Sequence, residues 1–319
     1  MKWYASIKDH LVPEDKACVS ILDRGYLYGD GLFDTMASYR GRIFKFEDHM
    51  ERLEKNSRAL GINPPLSGPQ LQALILKTLK KNRLGNKDAY IRVSLSRGKA
   101  GLGPAPLKGV PPSLTIITRP LRVYPVSFYK KGVEILTVPT RRLSPQALDG
   151  KIKSLNYLNS ILARERAHGK GLFEAVLLSE DGYVTEGTAS NIFIASRHGK
   201  LITPPSFLGV LEGITRKAVL EIARSLGIVT EIVPFTTYDL YTAEECFLTG
   251  SIINIMPVRM ADKRVIGTGR PGPTTKKLST SSHYNGNIET IEKFNSLILN
   301  EVKDLIANHK GEKYETKRR

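Results

Sequence analysis

The stretch "KIKSLNYLNS", residues 151–160, carries two lysines, Lys151 and Lys153, at the edge of a segment with helical spacing. Leu155, Leu158, Ile161 and Leu162 recur as one side of a helix, and Ser154 is the expected N-cap. Lys153 would then stand just outside a helix N-terminus. The positive end of the helix dipole disfavours a protonated amine there, and burial pushes the same way. A lysine with a lowered pKa is a nucleophile able to form a Schiff base with a carbonyl. Lys151 reads as its solvated neighbour. Tyr157, one turn along, could face the same site. Taken singly, a lysine before a helix usually sits at the surface, and Tyr157 could be an ordinary half-buried tyrosine.

Three other stretches supply complementary chemistry. "YVTEGTASNIF" puts Glu186 between a strand and a turn of small residues, where a carboxylate can pair with a protonated ring nitrogen. "LEGITRKAV" places Gly213, Ile214 and Thr215 at the start of a helix, where free backbone N–H groups and a hydroxyl make an anion cradle. "HMERLEKNS" sets Arg52 on a helix beside an apolar stripe, and arginine suits bidentate phosphate binding. Each has an ordinary alternative: a turn residue, a helix cap, a solvated helix face.

The elements that would position these residues alternate along the chain. "FEDHMERLEKNSRALGI" is an amphipathic helix with Met50, Leu53 and Leu60 on one stripe and Gly61 at its end. "GPQLQALILKTLKKNRLG" is a second, with Leu71, Leu74, Ile75 and Leu79. "DAYIRVSLSRG" and "PSLTIITRPL" are strands, joined by a glycine- and proline-rich loop. "RPLRVYPVSFYKKG" reads as a linker, because two prolines bracket a strand exit. Beyond it the sequence predicts strand "VEILTVPTRR", a helix from Ser154, strands "FEAVLLSEDG", "YVTEG" and "NIFIAS", helix "GITRKAVLEIARSLGI", and strands "TEIVPF" and "ECFLTG". The expected class is α/β (α+β) in two domains. These are residues 1–119, a linker at 120–128, and 129–278, followed by a helical extension at 279–319. In that extension Ile291, Phe294, Ile298, Val302 and Leu305 form an apolar stripe that needs a surface to dock on.

Composition narrows the function classes. The net charge of +17 is spread along the chain, and no RNA-recognition signature, zinc finger or aromatic-interleaved basic stripe accompanies it. A diffuse field favouring small anionic ligands is the better reading than a nucleic-acid site. No apolar run approaches the roughly 20 residues of a membrane span. The N-terminus "MKWYASIKDH" lacks a signal peptide's apolar region. Cys18 and Cys246 lie in dissimilar surroundings, which implies neither a disulfide framework nor a metal site, and a reducing cytoplasm is expected.

"RGYLYGDGLFDTM", "HMERL", "YIRVSLSRG", "IKSLNYLNSILA", "GYVTEGTASNIF", "LEGITRKAVLEIA", "ECFLTGSIINIMPV" and "GPTTKKL" occur in this order over roughly residues 5–278. The chain thereby resembles the class IV (fold type IV) pyridoxal-phosphate aminotransferases, a family that includes branched-chain and D-amino-acid aminotransferases and aminodeoxychorismate lyase. The resemblance implies a small N-terminal α/β domain, a larger cofactor-binding domain with a mixed sheet, and pyridoxal 5′-phosphate as cofactor. Lys153 resembles the aldimine lysine and Glu186 the partner of the pyridine nitrogen. Tyr157 resembles the tyrosine on the phenolic oxygen. Arg52, Ile214, Thr215 and Ser251 resemble the phosphate contacts, and Leu211 completes the implied cofactor set.

The implied substrate residues are Tyr28, Phe33, Tyr90, Arg92 and Ile252. Tyr90 and Arg92, two apart on a strand, share a face. They resemble the pair with which branched-chain enzymes hold a substrate carboxylate and accommodate glutamate. D-amino-acid enzymes often carry tyrosine where Phe33 stands. The turn Gly250-Ser251-Ile252-Ile253 departs from the Gly-Thr-Ala-Ala type usual in branched-chain enzymes. Asn254 replaces a common acidic residue and Thr35 a common glycine. "GLFDTM" and "SIINIMPV" lean toward the lyase and D-amino-acid branches. The expected function is transamination between a branched-chain L-amino acid and 2-oxoglutarate. The alternatives are a D-amino-acid aminotransferase or aminodeoxychorismate lyase on the same scaffold, and a non-catalytic relative. The expected partners are small amino-acid and 2-oxo-acid substrates and further copies of the chain in a homodimer or higher homo-oligomer, with no nucleic acid or membrane.

Overall fold

The structure, a computed structural model, describes residues 2–105 and 109–281, without the side chains of Thr280 and Ser281. The apolar stripe between Ile291 and Leu305 lies outside the described residues.

The first sheet collects the strands before residue 121. These are β1 (Tyr4–Ile7), β2 (His10–Pro13), β3 (Gly31–Tyr39), β4 (Arg42–Ile43), β5 (Ala89–Ser96) and β6 (Ser113–Pro120). Their order is β2-β1-β6-β5-β3-β4, antiparallel throughout. A short helix α1 (Arg24–Tyr28) leads into β3, and helices α2 (Phe46–Leu60) and α3 (Gly68–Lys81) cover one face. Phe46, Met50 and Leu53 recur at helical spacing in α2, and Gly61 closes it in the left-handed conformation. The α3 stripe Leu71, Leu74, Ile75 and Leu79 packs with them over Met36, Ile91, Leu95 and Ile116.

The remaining strands form a mixed second sheet. They are β7 (Val133–Arg141), β8 (Glu174–Leu178), β9 (Val184–Gly187), β10 (Asn191–Ala195), β11 (Leu201–Thr203), β12 (Thr230–Ile232), β13 (Glu245–Gly250), β14 (Asn254–Ala261) and β15 (Arg264–Val265). Their order is β12-β11-β10-β13-β14-β7-β8-β9, with β15 on β14. The pairs β7/β8, β7/β14 and β11/β12 are parallel. Helices α4 (Val126–Lys131), α5 (Leu158–His168), α6 (Ile214–Ser225), α7 (Thr237–Thr242) and α8 (Pro273–Ser281) surround it. Side chains alternate along the strands: Phe193 and Phe247 stack toward α6 and α8, while Ile192, Ile194 and Leu248 enter the opposite core. Among the described residues no helix is long and apolar enough to cross a membrane.

One local expectation is corrected. The helix expected from Ser154 begins at Leu158, with Tyr157 at its N-cap, so Ser154 caps nothing and Lys153 lies outside the reach of that dipole. The apolar side of this helix faces solvent: Leu158 is 66% exposed, Ile161 56% and Leu162 49%. The buried face is Ser160, Ala163 and Ala167, small residues that let α5 lie close over β7 and β8. The stretch read as a linker contains α4, whose Phe128 and Tyr129 pack with Tyr124 against the second sheet's core.

Candidate active site

The segment that carries Lys153 is held by strand pairing. The Phe33 amide donates to the Lys153 carbonyl at 2.9 Å, the Leu155 amide donates to Gly31 O at 3.0 Å, and Ser154 bridges Leu32. These contacts lay residues 153–155 along β3, at the junction of the two sheets. A cavity of about 460 Å³ opens there. Lys153 Nζ lies 4.6 Å from the Phe33 ring centroid and 6.0 Å from that of Tyr157. Burial first, and then the charge of Arg52, pull its pKa from 10.5 down to about 8, while Asp34 and Glu186 oppose them. Lys151 is half exposed and pairs with Asp149.

Glu186 sits in β9, 5% exposed. Its Oε1 is 2.8 Å from Arg142 Nη2. Its Oε2 accepts from Asn191 Nδ2 and from the Leu211 amide, both at 3.0 Å. Burial pushes this carboxyl up, against Arg142, the Leu211 amide and Lys153, which favour the anion. Arg142 is itself fixed by donating from Nε to Gly209 O at 2.8 Å. Gly213 must be glycine for this arrangement, since a Cβ there would fall 2.0 Å from Asn191 Oδ1. Tyr157 meets Phe33 edge to face at 5.3 Å, and burial, with Glu186 adding to it, raises its phenol to about 12.

At another part of the wall Arg52 reaches from α2 toward the start of α6, and its Nη1 donates to Glu212 O at 3.2 Å. Asp34 stands behind Arg52, bound to both its guanidinium and His49. The Ile214 and Thr215 amides open α6, where the helix itself offers no acceptor. Thr249 Oγ1 is buried without a hydrogen-bond partner and lines the same cavity as Ser251. First-turn amides, an arginine and an orphaned hydroxyl fit a phosphate group, and Lys153 in the same cavity fits an aldehyde. These residues therefore fit a phosphorylated pyridine aldehyde.

Tyr90, Arg92 and Phe33 line the cavity from the first sheet, and Ile252 and Ile253 from the β13–β14 turn. Arg92 lies over the Phe33 ring, 3.7 Å from its centroid. Tyr28 does not line this cavity; it is 39% exposed and its hydroxyl accepts from the Gly103 amide. Sequence reasoning passed over Asp34, His49, Arg122, Tyr124, Arg142, Asn191 and Thr249. Asp34 had a signal: it is the one charge within the apolar run of β3, and a charge in such a run demands a partner. Arg142 was visible only as part of a basic doublet.

The profile of the amino-transferase class IV family matches residues 31–261. A Methanocaldococcus jannaschii protein with the provisional name branched-chain-amino-acid aminotransferase is 42% identical over 278 residues, covering 87% of this chain and 94% of that one. The D-alanine aminotransferase of Bacillus licheniformis is 33% identical, covering 85% of this chain and 93% of its own. Among solved structures, the branched-chain aminotransferase of Thermoproteus uzoniensis with norvaline has a TM-score of 0.81 at 32% identity, covering 88% of this chain and 93% of that one.

Proposed function

The chain belongs to the class IV aminotransferases, and from that premise we propose that it uses pyridoxal 5′-phosphate to move an amino group between a branched-chain L-amino acid and 2-oxoglutarate. The observation that carries the reading is the convergence, in one cavity, of Lys153, Glu186 and the Arg52–α6 cradle. When bound, pyridoxal 5′-phosphate supplies an aldehyde that links to amines and a ring that takes up the electron pair left at the substrate's α-carbon.

The chain's residues do the rest. Lys153 would hold the cofactor through Nζ, and its lowered pKa leaves a useful fraction of the amine uncharged near neutral pH. The same amine, once freed, takes the α-proton of the substrate and returns a proton on the way to product, as base and then acid. Glu186, aimed by Arg142 and Asn191, is the anionic partner of the ring nitrogen. Tyr157, in the same cavity wall, would hydrogen-bond the phenolic oxygen. Arg52, the Ile214 and Thr215 amides and Ser251 hold the phosphate.

Phe33, Tyr124, Ile252 and Ile253 give the substrate end aromatic and aliphatic walls suited to a branched side chain. Arg92 has a ring contact and no carboxylate partner among the described residues, so it is available to a substrate's second carboxylate. The 42% relative supports the branched-chain reading. A second reading, a D-amino-acid aminotransferase, is favoured by the D-alanine aminotransferases among the relatives. The exposed Leu158, Ile161 and Leu162 support assembly with a second copy, and two unpaired cysteines suit a cytoplasmic setting.

The deciding experiment mixes the loaded protein with L- and D-amino acids in single half-reactions and follows loss of the visible cofactor band. L-leucine and L-valine are expected to react fastest. Faster reaction with D-alanine or D-glutamate replaces the branched-chain reading with the D-amino-acid one. Release of pyruvate from aminodeoxychorismate, with no amino acid reacting, replaces both. Borohydride reduction should place the cofactor adduct on Lys153; an adduct on Lys151 overturns the lysine assignment.

A further inference from the structure

Arg52 lies against a carboxylate that does not itself line the cavity. Asp34, on β3, is 1% exposed, and its two oxygens accept from Arg52: Nε to Oδ2 at 3.0 Å and Nη2 to Oδ1 at 2.8 Å. Both bonds run to one planar fork, which fixes the guanidinium's orientation as a single bond would not. On its far side Asp34 Oδ1 accepts from His49 Nδ1 at 2.7 Å. His49 and Arg52 are one turn apart on α2, so one helix face presents both donors to the same carboxylate. His49 is fully buried, and its Nε2 has no hydrogen-bond partner. Its side chain's hydrogen bond goes to Asp34, and Arg52 Nη2 lies 3.4 Å from the same Nδ1.

We infer that Asp34, steadied by His49, is a positioning residue that presets the Arg52 guanidinium to receive the phosphate of the cofactor. The inference rests on the proposed use of pyridoxal 5′-phosphate. Arginine has five N–H donors. Asp34 takes one on Nε and one on Nη2, and Glu212 O takes one on Nη1. His49 Nδ1, which gives its proton to Asp34, has no lone pair for Arg52 Nη2 at 3.4 Å, so one N–H on each terminal nitrogen remains for an anion, and the three bonds already made decide where those two point. The alternative, an ion pair that only stabilises the fold, offers no reason for the guanidinium to lie in the cavity wall.

Three further observations agree. Burial opposes ionisation of Asp34, yet Arg52 and His49 hold its carboxyl far below the usual range, so the clamp stays charged at any working pH. Glu212 O belongs to the loop entering α6, so the guanidinium is registered against the helix whose first amides form the rest of the cradle. Phe33 and Thr35, the strand neighbours of Asp34, both line the cavity, so β3 places the clamp and the substrate wall on adjacent residues.

The test compares two ligands on the full-length, cofactor-depleted protein: pyridoxal 5′-phosphate, and pyridoxal, which lacks the phosphate. Asp34→Asn keeps the shape and removes the charge. It should weaken the phosphorylated ligand on the order of tenfold, the scale of losing a preorganised charged contact, and leave pyridoxal within about twofold of wild type. In an Arg52→Leu background the same substitution should no longer change the ratio of the two affinities, because Asp34 acts through Arg52. If Asp34→Asn does not fold, His49→Gln is the milder probe, and its ratio should move in the same direction. An unchanged ratio in the folded variant, or equal weakening of both ligands, overturns the positioning role. A wild-type protein that binds neither ligand overturns the proposed function instead.

Discussion

The carbonyl of Lys153 accepts the amide of Phe33 at 2.9 Å. One backbone bond thus fixes the height of the amine above β3 and places the Phe33 ring 4.6 Å from Nζ. The lysine therefore owes its position to a strand on the other sheet and not to the helix that follows it.

The burial that depresses the Lys153 pKa should be visible in stability. Between pH 8 and 10.5 the unfolded chain binds a proton that the folded chain has released, so the cofactor-free protein should gain stability as pH rises through that window. Below pH 8 the cost of the buried ammonium is fully present. The gain is at most about 3 kcal/mol. Tyr39 and Tyr157, raised to about 12, work the opposite way only above pH 10. Lys153→Met should stabilise the cofactor-free protein at pH 7 and flatten the profile, as read by urea unfolding at several pH values.

Glu186→Gln keeps the hydrogen bonds from Asn191 and the Leu211 amide within reach but loses the charge that faces Arg142 and that is proposed to face the ring nitrogen. Cofactor binding should survive while the single-turnover rate falls on the order of a hundredfold. An undiminished rate would mean that Glu186 only shapes its turn.

Arg92→Ala should separate the two halves of the reaction. A charge-assisted hydrogen bond of about 1.5–3 kcal/mol corresponds to roughly 10–100-fold in kcat/KM for glutamate. Leucine has no second carboxylate and should change little. Parallel losses for both amino acids would show that Arg92 acts on packing through Phe33.

Gly150→Ala is expected to be severe although it removes no reacting group. A Cβ at this position would sit 1.8 Å from Gly209 O, the carbonyl that fixes Arg142. Overpacking against backbone costs on the order of 1–3 kcal/mol, and the shift should also disturb Glu186. Thermal melting and the half-reaction rate should therefore fall together.

Much of the fold is legible in the sequence because it repeats: the stripes of α2 and α3 and the alternating strands of the first sheet follow their periods. The start of α5 misled because Leu155, Leu158, Ile161 and Leu162 obey the helical period while most of them face outward. Periodicity gives a helix face but not the direction in which it points. Lys153, Glu186 and Arg52 could be singled out because their chemistry sits in local motifs. Asp34 offered only the signal of a charge in an apolar strand, with its partner Arg52 18 residues away, and Arg142 offered none, since its importance lies in a partner 44 residues away, a distance that no local pattern encodes.

The cradle draws Arg52 from α2, beside the first sheet, and the opening of α6 and the Ser251 turn from the second. An anion seated there grips both halves of the chain, and neither half alone offers the full set of donors. Its binding free energy then acts as a clasp between them. At a hundred times Kd that clasp amounts to about 2.7 kcal/mol, all of it lost if the halves separate. The loaded chain should therefore melt as one cooperative body, with the small ligand doing the work of a covalent staple.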